Sequence, residues 1–233
     1  MRVDFDQMST SNEIQDLDLE RLRHYPEALP CCVLGGDRET VGDPLNLVII
    51  GDGMHVLETL ARRGWDLTET MHGASMLSTA ISSVFGLKYR TSPVSPLYLF
   101  GRAQDIALQK SRSTVDERNH LRLWRAPVTL DGQDIFVGQI SRDIGVKLSS
   151  KTIIAYKIDP VVDEARLYIT LDIAASETLL VVDYVKGVGY SDRKAPRFNY
   201  TEDPFYTDGL RVVLILCEDP TINKVKDFSS YTK

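Results

Sequence analysis

Pro96-Leu97-Tyr98-Leu99-Phe100-Gly101-Arg102-Ala103-Gln104-Asp105-Ile106-Ala107-Leu108-Gln109-Lys110 and, after a short polar gap, Arg118-Asn119-His120-Leu121-Arg122-Leu123-Trp124 are the runs that decide the fold. Read with a period of two, they give strands with leucines on one face and charged or aromatic groups on the other. In the second run Leu121 and Leu123 point one way, whereas His120, Arg122 and Trp124 point the other. A strand with one apolar face usually turns Lys, Glu and Thr to solvent. This one turns out a His, an Arg and a Trp, side chains that recognise anions and flat groups. The pattern marks a candidate site without naming a reaction.

Working outward, Asp131-Gly132 predicts a hairpin turn between strands over residues 126–130 and 134–141. Residues 152–158, 177–185 and 210–217 read as further strands, as do 31–34 and 45–50 upstream. Met54, Leu57, Leu60 and Ala61 recur at helical spacing and Gly64 stops that helix. A second apolar stripe, Met71 to Phe85, predicts another helix ended by Gly86, and Asp159-Pro160 predicts a third, with Asp at the cap and Pro in the first turn. The expected fold class is α+β: a mixed, largely antiparallel sheet with about three packing helices. Residues 1–29 read as a mobile or weakly ordered arm with helical hints over 13–23, residues 30–218 as the domain, and 219–233 as a C-terminal tail. The connection over 186–209 is long and aperiodic, which in a compact domain marks a functional or mobile segment.

The composition narrows the function. A net charge of -6 argues against non-specific nucleic-acid binding. Basic residues are concentrated between Arg102 and Arg125, where six face three acids, a pattern suited to a small anionic ligand. No long uncharged apolar run predicts a transmembrane span, and the first twenty residues lack a signal-peptide core. Three cysteines, Cys31, Cys32 and Cys217, do not form a disulfide framework and read as buried thiols, so a reduced, cytoplasmic location is expected.

His120 and Arg122 lead the candidate residues. A near-neutral imidazole can move a proton, and a guanidinium can grip phosphate or carboxylate in two-pronged fashion. Asp105 or Asp143 could orient His120, and Arg102, Gln109, Lys110, Arg118, Arg122 and Trp124 are the expected ligand contacts, with Tyr98 or Trp124 as a flat wall. Asp163 and Arg166, three apart on a helix, can pair as a surface salt bridge. Convergence of Asp143, Asp159 and Asp163 on a hard cation lacks the tight spacing of a loop site. Gly51-Asp52-Gly53 reads as a tight turn, since neither a dinucleotide fingerprint nor a Walker loop follows. The four histidines (His24, His55, His72 and His120) are scattered without zinc spacing, and Ser75, Ser78, Ser82 and Ser83 lie outside any nucleophile elbow. No metal site is expected, and the cofactor stays open.

Seven segments in order carry a resemblance: Asp43-Pro44-Leu45-Asn46 leading to Gly51, Arg63-Gly64-Trp65, Pro93 to Tyr98, Gln104 to Lys110, Arg118 to Trp124, Asp143-Ile144-Gly145-Val146, and Asp159 to Arg166. Together they resemble the LssY C-terminal domain family over roughly Pro30 to Glu218. Members of that bacterial family often follow DedA-like or PAP2-type phosphatase segments of membrane proteins, and the domain itself carries no settled activity. The resemblance therefore implies a fold and a possible membrane-associated partner, but no phosphatase chemistry, since no PAP2 signature is present. Three readings remain open: a soluble accessory or binding domain for an anionic, phosphorylated ligand; a hydrolase of a phosphate or related ester with His120 as general acid or base; and a protein-interaction module on the same face. The oligomeric state is left undetermined.

Overall fold

In a computed structural model of the protein, which describes residues 14–68, 96–111, 118–147, 155–217 and 225–230, the Asp131-Gly132 turn joins two long strands. Both turn residues have positive φ, 49° and 77°, as a tight hairpin matched to strand twist requires. In chain order the elements are β1 (Gln15–Leu17), α1 (Leu19–Ala28), β2 (Cys32–Leu34), β3 (Val41–Pro44), β4 (Leu47–Gly51), α2 (Gly53–Arg62) and β5 (Asp66–Leu67). After these come β6 (Tyr98–Leu99), β7 (Arg102–Ala103), β8 (Ile106–Ser111), β9 (Arg118–Leu130), β10 (Gln133–Lys147) and β11 (Ala155–Ile158). The last are α3 (Val162–Ala174), β12 (Leu179–Lys186), β13 (Arg197–Phe198), β14 (Pro204–Phe205) and β15 (Leu210–Leu216).

The main sheet runs β12-β15-β4-β10-β9-β8-β5, with β1 beside β9 and β11 beside β10. Among the described strand pairs of this sheet only β15–β4 and β1–β9 are parallel, so the protein is α+β with a mixed, largely antiparallel sheet, as the strand periodicity predicts. The expected helix over 71–86, with His72 and the four serines, lies outside the described residues, as does Arg112.

Two apolar layers flank the sheet. On one side, Val56, Leu57 and Leu60 of α2 and Ala165, Ile169 and Ile173 of α3 pack on Leu108, Leu121, Leu123 and Ile140. On the other, Leu22 of α1, Val33 of the small sheet β3-β2-β6-β7 and Leu45 just after β3 pack on Val48, Trp124 and Val137. Both faces of β9 are therefore buried.

Residues 15–28 depart from the expected weakly ordered arm. Leu17, Leu22 and Leu29 are in the core, and Asp18 caps α1 by accepting from the Arg21 N–H. The far end of α1 is held by Arg211, which is fully buried and donates to the carbonyls of Pro26, Pro30 and Leu45. Burial pushes its guanidinium down to about 10. In the expected tail, residues 225–230 lie along β12, where Lys226 exchanges backbone bonds with Leu180 and Val182 and Phe228 is buried.

Several motif segments have local structural reasons. Arg63-Gly64-Trp65 is a Schellman stop: Trp65 N–H donates to the Leu60 carbonyl, Gly64 N–H to Ala61, and Gly64 takes φ 79°. Asn46 continues the β4–β10 ladder with its side chain, its amide donating to the Ile140 carbonyl and accepting from the Ile140 N–H, both at 3.0 Å. The third helix starts at Val162 rather than at Asp159-Pro160, because Asp159 turns back to accept from the Val161 N–H instead of capping the helix.

Candidate functional site

The face of β8-β9-β10 that carries Trp124 changes character along its length. Next to Trp124 and Val137 it is apolar; beyond them three cross-strand rows are polar, Ala107-Arg122-Gln139, Gln109-His120-Ser141 and Ser111-Arg118-Asp143. His120, Arg122, Asp143, Gln109, Gln139 and Ser141 are all buried. A polar layer at this depth is costly unless each charge is matched, so its pairing decides what it can do.

His120 Nε2 lies 2.7 Å from Asp143 Oδ2, with both side chains about 5% exposed. On the other side of β10, where it pairs with β11, a β-bulge shifts the register between Asp143 and Gly145. Arg122 Nη1 donates to Gln139 Oε1 at 2.8 Å, and Arg118 Nη1 to Gln109 Oε1 at 3.1 Å. Arg122 Nε and the Gln139 amide nitrogen have no hydrogen-bond partner among the described residues.

Asp43 of β3 approaches this layer and accepts from the Asn199 amide at 2.7 Å. Burial is the largest influence on both opposed charges: it pushes the Asp43 carboxyl up despite Asn199 and Arg122, and it pushes the Arg122 guanidinium down despite Asp43 and Asp143. At both groups burial outweighs the neighbouring opposite charge, and perturbed groups of this kind cluster at working sites.

The raised Asp43 carboxyl has a measurable consequence. The folded protein holds this proton more tightly than the unfolded chain, whose aspartates titrate near about 3.9. Stability contributed by the protonated form is complete below that value and is lost as pH rises through the higher folded value. Asp43→Asn removes this slope. Its melting temperature should therefore improve relative to wild type as the pH is raised from about 4 into the neutral range; parallel curves would show that Asp43 is matched.

The structure divides the sequence-predicted residues into two sets. His120, Asp143, Arg118, Arg122 and Gln109 share one layer. Arg102 and Asp105 pair with each other in a two-pronged bridge of 2.8 and 2.9 Å, and Asp105 also accepts from the Arg125 N–H, so Asp105 does not orient His120. Trp124 is a core residue whose indole N–H meets the Arg102 carbonyl at 3.3 Å, not a ligand wall. Lys110 points to the opposite face, because it is one residue out of phase with Gln109.

There Asp172 of α3 gathers Lys110 Nζ at 2.8 Å, Arg63 Nη2 at 2.9 Å and Trp65 Nε1 at 2.9 Å. That knot is structural: it ties β8 and the end of α2 to α3.

Asp43, Gln139 and Asn199 are members of the layer that strand periodicity missed. Asp43 did sit in a family-like segment, and Asn199 in the connection marked as unusually long. The other acids are occupied elsewhere: Asp159 meets Arg142, and Asp163 accepts from Thr207 and the Asp208 N–H. A cavity of about 400 Å³ beside α3 includes Arg166, but Asp208 already holds that guanidinium with two bonds of 2.8 and 2.7 Å. No group of three or more His, Cys, Asp or Glu stands ready for a metal among the described residues, and no helix there is long and apolar enough to cross a membrane.

Fold and site together define an α+β domain whose mixed sheet buries a histidine–carboxylate pair beside an incompletely matched arginine. A family model described as LssY C-terminus matches residues 30–210, and the chain belongs to that family. No curated protein and no solved structure matches it.

Proposed function

We propose that the polar layer is the working site of this LssY C-terminal domain. It would bind a phosphorylated or related anionic small molecule, with Arg122 and Arg118 supplying positive charge and the His120–Asp143 pair exchanging a proton with the ligand. The observation that carries this reading is the 2.7 Å contact between His120 and Asp143 in the same buried layer as Arg122. With a carboxylate against Nε2, proton exchange with a ligand would run through Nδ1. The arginines supply the electrostatic half of phosphate chemistry, stabilising charge on the non-bridging oxygens.

A hydrolase acting on a phosphate ester fits this arrangement better than passive binding, because binding alone has no use for an oriented histidine. Docking of a protein partner on this same face is disfavoured by the burial of His120 and Arg122.

The test is a thermal-shift titration with inorganic phosphate, pyrophosphate and glycerol phosphate on wild type and Arg122→Met. Ligand at a hundred times its dissociation constant adds about 2.7 kcal/mol, or roughly 5–10 °C for a chain of this size. The shift should appear in wild type and vanish in Arg122→Met. Equal shifts in both proteins, or none in wild type, would overturn the site. Phosphate release from glycerol phosphate, followed by phosphorus NMR, separates the two modes. Turnover that drops by about 10²-fold or more in His120→Gln supports the hydrolase, and binding without turnover supports a receptor.

A further inference from the structure

Cys31 and Cys32 are neighbours in sequence, and their sulfurs converge on a single donor. Arg197 Nη2 lies 3.0 Å from Cys31 Sγ and 3.1 Å from Cys32 Sγ. The guanidinium is held from behind by the Val188 carbonyl at 2.6 Å and lies 5.2 Å from the centre of the Phe205 ring. Cys32 is buried at the start of β2, whereas Cys31, just outside the strand, is partly exposed. The expectation of two buried thiols therefore fails for Cys31, which is partly exposed: an accessible sulfur beside a fixed cation is the setting in which thiolates form.

The directions of titration agree with the geometry. A hydrogen bond from the Cys32 thiol, opposed by burial and reinforced by Arg197, holds the Cys31 thiol down to about 6, while the same pairing and burial push Cys32 up. Both directions favour charge on Cys31 and a proton on Cys32.

We propose that Cys31 is a modification site, a guanidinium-held thiolate that reacts with soft electrophiles and with hydroperoxides. With hydrogen peroxide the sulfur attacks one oxygen, the S–O bond forms as the O–O bond breaks, and hydroxide leaves and takes a proton from solvent. Sulfur loses two electrons and the peroxide gains them, giving Cys31 sulfenic acid. Closure to a disulfide with Cys32 is opposed by geometry, because adjacent Cα atoms sit about 3.8 Å apart, short of the roughly 4.4–6.8 Å that disulfides span. The product therefore stops at the sulfenic acid, available to an external thiol.

The test is residue-resolved alkylation of the whole chain with iodoacetamide, read by peptide mass spectrometry from about pH 5 to 9 with N-acetylcysteine alongside. Cys31 should show a rate midpoint near 6. At that pH it should react about tenfold faster than the reference thiol, the thiolate gain being partly offset by the lower nucleophilicity of a more acidic thiol. Arg197→Met should move the midpoint up by about one pH unit or more. A wild-type midpoint near the ordinary value of about 8.5 would overturn the proposal whether or not the variant folds. Equimolar peroxide followed by dimedone should then label Cys31 and spare Cys32; labelling of neither would remove the oxidation step.

Discussion

Asp172→Ala should cost about 3–5 kcal/mol, the loss seen when one member of a buried ion pair is removed and its partners stay behind. The carboxylate receives Arg63 Nε and Nη2, Lys110 Nζ and the Trp65 indole N–H, and its own side chain is 6% exposed. Alanine leaves two cations and one indole donor facing each other without an acceptor. The melting temperature should fall by on the order of 10 °C or more. Asp172→Asn keeps an acceptor oxygen of similar shape and loses only the charge, so its loss should be clearly smaller. Equal losses in the two variants would mean that packing, not the ion cluster, carries the effect. An unchanged melting temperature in Asp172→Ala would remove the knot as a stabilising element.

Arg211→Met should be the second large effect, at about 3 kcal/mol, and it should be regional. Methionine keeps the packing of the stem and relieves the cost of burying a charge, a gain that works against the loss. The loss is larger because three carbonyls, those of Pro26, Pro30 and Leu45, lose their donor, at about 1–3 kcal/mol for each buried acceptor left unmatched. Two of the three belong to the end of α1 and the segment that follows it. Hydrogen exchange should therefore speed up over residues 19–28 before it does in β4 or β10. Uniform acceleration across the sheet would instead place Arg211 in the global core, and unchanged protection over α1 would show that Leu17, Leu22 and Leu29 hold the segment unaided.

The two variants probe places where reading by periodicity reached its limit for different reasons. Lys110 and Gln109 are adjacent in sequence, and a period of two assigns them to opposite faces. Grouping both with His120 set that alternation aside in favour of a count of basic residues along the chain. Charge clustering in sequence is not clustering in space: of the basic island, Arg102 in the small sheet is matched by Asp105, and Lys110 in the main sheet by Asp172. Arg118, His120 and Arg122 do share a face, because that inference used alternation alone. Alternation puts Trp124 on that face too, but at its apolar end, where the indole packs in the core. The N-terminal segment carries few apolar residues, so its sequence shows only a thin stripe. Leu17, Leu22 and Leu29 suffice because Arg211, nearly two hundred residues away, supplies the anchoring bonds.

Local chemistry, then, was written along the chain. The Asp131-Gly132 hairpin, the Gly64 helix stop, the alternation of β9 and the mixed character of the sheet depend on residues a few positions apart, whose backbone preferences act without help. What the chain folds over each strand depends on contacts between distant residues, which no local pattern encodes. That second kind of information put Asp143 against His120, brought Asp43, bonded to Asn199, within electrostatic reach of Arg122, and aimed Arg197 at two sulfurs from more than 160 positions away. Whether a polar side chain is a solvated ornament or a strained, reactive group is decided by what covers it, and only the assembled fold supplies the cover.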